Sequence, residues 1–341
     1  MKIGIDVESG ERSFQELVNG SIKALQYLPD IEIFLIGDVQ KIKDNFPELV
    51  NNKNINFYNA PEIIKMNEKP TAVLKLKKKS TVSAGMTLLK NKDIDFFFTP
   101  GNTGATVVAS IMNLGMIDNA IKRPAMATFF PRIGGGETLI IDIGANPEAT
   151  DYDLYINALL GISYYSILND KKNPSIGILN MGVEMGKGSL ITKKAFQLMK
   201  NIPSFIGNVE GYNIFNGTVD VVVCSGFIGN VILKSAEAMK RYFNYLLKHF
   251  LTVNFVKKGI FSLFIDKNKL YKKNKKSINS KILPKFYGAA PLLGVNGAVL
   301  VGHGMCSEAE LTNAIMLANE LFKKNYLEEL KKSIKKLLKK D

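Results

Sequence analysis

The sequence predicts an α/β protein in which a mostly parallel sheet carries helices on both faces. Two patterns point there. Short runs rich in Ile, Val and Phe recur along the chain and stop at glycine or polar residues, as buried strands do. Between them lie amphipathic stretches suited to be the crossover helices of βαβ units. With 341 residues, 46% of them hydrophobic and 22% charged, the chain has material for a large core, and residues 1–341 read as a single domain.

The first strand is "KIGID" at 2–6, and an amphipathic helix follows over 14–28. "IEIFLIG" at 31–37 and "IDFFF" at 94–98 are further strands; the latter breaks at Pro100-Gly101-Asn102-Thr103-Gly104 and resumes as an apolar helix from Ala105. "PAMATFFPRIGGGETLIIDIG" reads as two strands around a triple-glycine turn, so one antiparallel hairpin interrupts the parallel pattern. "SIGILNMG" precedes a helix over 190–200, and "VDVVVCSG" runs through glycine into another. Residues 244–282 mix bulky apolar side chains with ten lysines and one acid. They read as a protruding helical segment that either lies on an anionic bilayer or clasps a partner subunit. The last helix sets Tyr326, Leu327, Leu330, Ile334, Leu337 and Leu338 on one face and lysines on the other, the pattern of a surface helix.

The charge is localised. Of the net +14, residues 244–282 supply +9 and residues 323–341, with eight lysines and three acids, supply +5, so the body is neutral. Residues 96–117 and 288–305 are uncharged but interrupted by glycines, and by Pro100 and Asn102 in the first, so neither reads as a membrane span. "MKIGID" is a strand rather than a secretory leader, and Cys224 and Cys306 are too few for a disulfide framework; both fit a reducing, cytoplasmic setting. With only His249 and His303, a histidine-built metal centre is not expected.

The chemistry gathers at strand ends. "PGNTGA", "LNMGVEMGKGSL" and "CSGFIGNVILK" each pass from a strand through glycine into a helix, an arrangement whose free amides and helix dipole favour an anion. Named phosphate motifs are absent: "GVEMGKGS" has three residues between Gly182 and Gly186 and Gly188 after Lys187, and no G-x-G-x-x-G follows the first strand. There is no G-x-S-x-G elbow. A Cys224 and His303 nucleophile pair is one reading; the other makes His303, in "VGHGM", a group that acts on a proton or an anion.

The ordered blocks "GNTGA", "RPAMATFFP", "DIGAN", "NMGVEMGKG", "FIGNVEG", "GFIGNVILK", "YGAAPLLGVNG" and "GHG", with "EKPTAVLKLKKKS", closely resemble the bacterial phosphate acyltransferases of phospholipid synthesis, from Met1 to about residue 320. The resemblance implies a Rossmann-like three-layer α/β/α fold related to phosphotransacetylases and a homodimer attached loosely to the inner face of the membrane. It also implies transfer of an acyl chain from acyl carrier protein to inorganic phosphate, giving acyl phosphate without a cofactor. On that expectation Gly101, Asn102, Thr103 and Gly104 cradle phosphate, Lys187 offsets its charge, and Asn146, Asn180, Asn208 and Asn230 offer neutral donors. His303 protonates the leaving thiolate or positions phosphate, and Glu184, Ser225, Gly226 and Asn296 complete the candidate site. The basic segment suits acidic acyl carrier protein or an anionic membrane surface rather than nucleic acid, for which recognition motifs are lacking.

Three places depart from the family pattern: Glu8, Ser9, Gly10 and Glu11 in the first loop, Ser225 before "GFIGN", and Tyr212 with Asn213 in "VEGYN". They keep two other readings open, a phosphotransacetylase-like enzyme taking short acyl-CoA and a catalytically weakened binding protein of the same fold.

Overall fold

The computed structural model describes residues 1–75, 77, 79–257 and 288–339. The chain builds β1 (Lys2–Asp6), α1 (Phe14–Tyr27), β2 (Glu32–Gly37), α2 (Val39–Asn45), β3 (Ile55–Asn59), α3 (Ala72–Lys75), α4 (Thr81–Asn91), β4 (Phe96–Thr99) and α5 (Thr103–Leu114). Next come β5 (Ala125–Pro131), β6 (Glu137–Ile141), α6 (Asp151–Asn169), β7 (Ile176–Leu179), α7 (Leu190–Met199), β8 (Phe205–Val209), α8 (Asn213–Asn216), β9 (Val221–Val223) and α9 (Gly226–Lys257). After these come β10 (Ala289–Leu293), β11 (Ala298–Gly302), α10 (Glu308–Lys323) and α11 (Tyr326–Leu338).

These strands form a single sheet in the order β3-β2-β1-β4-β11-β10-β5-β6-β9-β7-β8. The expected hairpin is β5–β6, with Ala127 opposite Ile141 and Pro131 opposite Glu137. The sheet also holds a second antiparallel pair, β10–β11, and an antiparallel contact of β10 with β5. Three reversals in succession have a geometric consequence. Strands β1, β2, β3, β4 and β11 run one way and β6, β7, β8 and β9 the other, so the carboxyl ends of the two groups lie at opposite edges.

Alternation along each strand makes the layers. On β5, Ala125, Ala127 and Phe129 join one core with Leu17 of α1, Leu159 of α6 and Ile315 of α10, while Met126 and Phe130 join the other with Val82 of α4 and Ala105 of α5. Helix α6 is apolar nearly all round because α11 covers its outer side. Tyr164 packs edge-on against Tyr326 with ring centres 5.9 Å apart, and Ser163 bonds Ser333 at 2.7 Å. On α11 the apolar face is buried at Tyr326, Leu330 and Ile334, and lysines occupy its outer side, as the spacing predicts. Residues 258–282 of the basic segment lie outside the described residues. Among those described, no helix is long and apolar enough to cross a membrane.

One buried carboxylate fastens the β5–β6 turn to the end strands. Asp220, 4% exposed, accepts from Lys171 Nζ at 2.6 Å, Arg132 Nη2 at 3.1 Å, Tyr165 OH at 3.2 Å, and the amide and hydroxyl of Ser175 at 2.7 and 2.9 Å. Burial pushes its carboxyl up, but the donors from Lys171, Ser175 and Arg132 outweigh it and hold the pKa at about 2. An unfolded aspartate titrates near 3.9, so this stabilisation is complete above about pH 4 and is lost as pH falls through about 2. The urea midpoints of wild type and Asp220→Asn are therefore expected to differ most at neutral pH and to converge between pH 4 and pH 2. A gap independent of pH would refute this role.

Candidate active site

The loop after β4 is built by short-range hydrogen bonds. Asn102 caps α5 by accepting from the Ala105 amide at 3.0 Å, and its Nδ2 donates to the carbonyls of Lys65, Met66 and Glu68 at 3.2, 3.3 and 3.1 Å. Its side chain is thus committed to holding residues 65–68 over the helix start, and the expectation that it cradles phosphate needs correcting. The Gly101 amide also turns inward, donating to Thr99 Oγ1 at 3.1 Å. What remains for an anion are the first-turn amides of Thr103 and Gly104, which a helix start leaves without intrahelical acceptors.

Helix α9 brings the second set of groups. It is docked at the far edge on the "DIGAN" block, where Asp142 accepts the amides of Met126, Gly144, Ala145 and Asn146 at 2.9, 3.0, 3.0 and 2.6 Å. Burial pushes the Asp142 carboxyl up, against these four hydrogen bonds. The Gly226 amide donates to the Asn146 carbonyl at 3.0 Å, a Cβ at Gly226 would sit 2.7 Å from Asp142 Oδ2, and Ser225 Oγ accepts from the Ile228 amide at 3.4 Å. Asn146, Ser225 and Gly226 form a joint between β6, β9 and α9. From that joint α9 crosses the sheet face and turns Asn230, Leu233, Lys234 and Glu237 inward, the i, i+3, i+4, i+7 spacing of one helical stripe.

Between α9 and the sheet lies a cavity of about 840 Å³. Its walls are apolar, with Met126, Phe130, Ile143, Phe215, Leu233 and Phe243, and the Phe130 and Phe215 rings meet edge-on at 6.0 Å. Gly101, Thr103, Glu11, Lys234, Glu237 and His303 form its polar part. There a donor faces each ring nitrogen of His303, the Met305 amide at 2.9 Å from Nδ1 and the Lys234 ammonium beside Nε2. Nε2 lies 2.8 Å from Lys234 Nζ and 3.6 Å from Glu237 Oε2, while Lys234 and Glu237 are 3.0 Å apart. A lysine ammonium offers only donors, so Lys234 gives hydrogen bonds to Glu237 and to Nε2, and an incoming anion can take the place of either acceptor.

The structure brings Gly101, Thr103, Asn230 and His303 to this cavity, with Gly104 in the adjoining helix turn. It does not bring Asn180, Glu184, Lys187, Asn208 or Asn296 there. Asn180 Nδ2 donates to the Lys187 carbonyl at 3.0 Å and Asn208 Nδ2 to the Glu184 carbonyl at 2.8 Å, so these asparagines brace the loop after β7 while Lys187 faces solvent. That loop follows a strand antiparallel to β4 and opens at the other edge. Asn296 sits in the β10–β11 turn, its amide donating to the Gly115 carbonyl at 2.9 Å. Cys224 lies outside the cavity, buried against the Asp142 carbonyl at 3.4 Å with its thiol pushed up by burial, so a Cys224–His303 nucleophile is not assembled.

Sequence reasoning passed over Lys234, Glu237 and Glu11. The signal for Lys234 was present: it closes the block "GFIGNVILK" four residues after Asn230, on the same helical face.

Comparison with known proteins agrees with the geometry. Residues 1–329 match the family model described as fatty acid synthesis protein. A phosphate acyltransferase of Halothermothrix orenii is 39% identical over 98% of this chain and 99% of its own, and one of Caldanaerobacter subterraneus subsp. tengcongensis is 38% identical over 98% and 97%. The chain belongs to the phosphate acyltransferase family. Solved phosphotransacetylases share the fold of this phosphate acyltransferase at low identity. A Streptococcus pyogenes phosphotransacetylase superposes with a TM-score of 0.59 at 14% identity, covering 95% of this chain and 94% of that one. A branched-chain phosphotransacylase of Enterococcus faecalis V583 gives 0.55 at 9% identity, covering 94% and 99%. The first loop is anchored at both ends: Glu8 pairs with Lys41 at 2.8 Å and the Glu11 amide donates to the Gly304 carbonyl at 2.7 Å, beside His303.

Proposed function

We propose that this acyltransferase passes a long acyl chain from the thioester of acyl carrier protein to inorganic phosphate, with the chain lying in the cavity under α9 and the reacting atoms at Lys234 and His303. The observation that carries the reading is the pairing of an extended apolar cavity with a donor-rich polar part. Asn230 and Leu247 both line the cavity, about 25 Å apart along α9. A short acyl-CoA donor would leave most of that apolar wall unfilled.

The chemistry follows from the donors. Phosphate, held by the α5 first-turn amides, attacks the thioester carbonyl carbon through one oxygen, forming a new C–O bond. Lys234 stabilises the oxyanion that develops. When the tetrahedral adduct collapses, the C–S bond breaks and the carrier's thiolate leaves, taking the proton that the attacking hydrogen phosphate gave to His303 Nε2. No nucleophile from the protein is required.

The same reading places the protein at the membrane's inner face as a homodimer. Tyr242, Phe243 and Tyr245 are 56%, 57% and 63% exposed on the outer part of α9, just before the lysine-rich sequence.

The test is release of free thiol from long-chain acyl carrier protein, with and without inorganic phosphate, trapping acyl phosphate with hydroxylamine. Phosphate-dependent release with the long-chain donor, and little with acetyl-CoA, is expected. Release independent of phosphate, or confined to short acyl-CoA, would overturn the proposal.

A further inference from the structure

We infer that Asp6 and Thr99 form a positioning relay that sets the anion-holding loop of α5, an inference that rests on the proposed phosphate site. Asp6 ends β1 with no exposed surface, and among the described residues no lysine, arginine or histidine pairs with it. A carboxylate buried among neutral groups is costly to keep and would be replaced at little loss of packing if it served packing alone. Its partners explain it. Oδ2 accepts from Thr99 Oγ1 at 2.7 Å, and Oδ1 accepts from the amides of Ser9 and Glu8 at 3.1 and 3.2 Å.

With its hydrogen given to Asp6, the Thr99 hydroxyl turns a lone pair toward the Gly101 amide, 3.1 Å away. This rotates the Pro100–Gly101 peptide inward and fixes the start of α5, whose Thr103 and Gly104 amides have no intrahelical acceptors. The loop of residues 8–11 is tied to the same carboxylate and lies hard against the turn: a Cβ on Gly101 would sit 2.8 Å from the Ser9 Cβ. Through the bond from the Glu11 amide to the Gly304 carbonyl, this loop also abuts the segment carrying His303. One buried carboxylate therefore holds two of the three backbone pieces around the proposed phosphate position, and the loop it holds reaches the third through the Glu11–Gly304 bond.

Thr99 does not touch substrate, so its removal acts through the loop. Thr99→Val keeps the shape and deletes the hydroxyl; Thr99→Ser keeps the hydroxyl. For Thr99→Val the KM for inorganic phosphate is expected to rise about tenfold, with the KM for the acyl donor within about twofold, the scale of one hydrogen bond in a preorganised site. Thr99→Ser should restore the phosphate KM. A merely structural role would lower folded protein or raise both KM values together. Equal phosphate KM in wild type, Thr99→Val and Thr99→Ser would overturn the relay. Should Thr99→Val fail to fold, Asp6→Asn carries the same phosphate readout. If the wild type shows no phosphate-dependent turnover, the function reading fails separately, and calorimetric titration with inorganic phosphate alone decides the relay. Binding about tenfold weaker in Thr99→Val upholds it, and equal binding ends it.

Discussion

Lys234→Met is expected to lower kcat/KM for phosphate-dependent thiol release about 100-fold, or about 2.7 kcal/mol, while Lys187→Met stays within about threefold of wild type. The contrast follows from placement. Lys234 lines the cavity with Nζ 2.8 Å from His303 Nε2, its side chain 52% exposed, whereas Lys187 lies on the loop after β7, at the opposite sheet edge. A donor held at the developing charge acts without having to reorganise, and losing it costs more than losing a charge remote from the reacting atoms. Measuring both variants side by side decides the location of the chemistry. Loss in Lys187→Met with Lys234→Met intact would move the reaction to the β7 loop and discard the cavity mechanism.

Gly229→Ala is expected to destabilise the protein by about 3 kcal/mol or to prevent folding, because overpacking a fixed backbone contact has no cheap relaxation. The glycine sits in the first turn of α9, where a Cβ would run into the Asp142 carbonyl oxygen and lie 3.0 Å from the Ile143 Cα. Asp142 cannot retreat, since its carboxylate is held by four backbone amides. Either α9 lifts, taking Asn230 and Lys234 out of register with His303, or the β6 end distorts. Gly186→Ala is the matched control: nothing lies within 4 Å of its Cβ position, and a change within about 0.5 kcal/mol is expected. Urea unfolding of the two variants gives the comparison, and equal midpoints would contradict the close-approach argument.

These two residues also divide what was legible from what was not. The strands "KIGID", "IEIFLIG", "IDFFF" and "VDVVVCSG" and the helices over 14–28 and 190–200 stand where the sequence puts them, because an apolar run of strand length and a 3.6-residue stripe are local properties. Strand β3, "INFYN", was passed over, since Asn and half-buried Phe57 and Tyr58 give it no clean apolar period. Gly101, Thr103, Asn230 and His303 reach the cavity because each lies in a strand-end block whose chemistry shows in its residue types.

By itself the sequence determined the α/β class and the family, and it gathered glycines and polar donors at helix starts. Tertiary structure decided which strand ends share a site. Hydrogen-bond pairing between β11, β10, β5 and β6 reverses the sheet three times, a long-range choice that no local pattern encodes, and it sends the "NMGVEMGKG" loop to one edge and the "GNTGA" loop to the other. Helix α9 then spans the gap, so the lysine that reaches the cavity is the one a helix carries across the sheet face, Lys234, and not the one beside the most phosphate-like motif, Lys187.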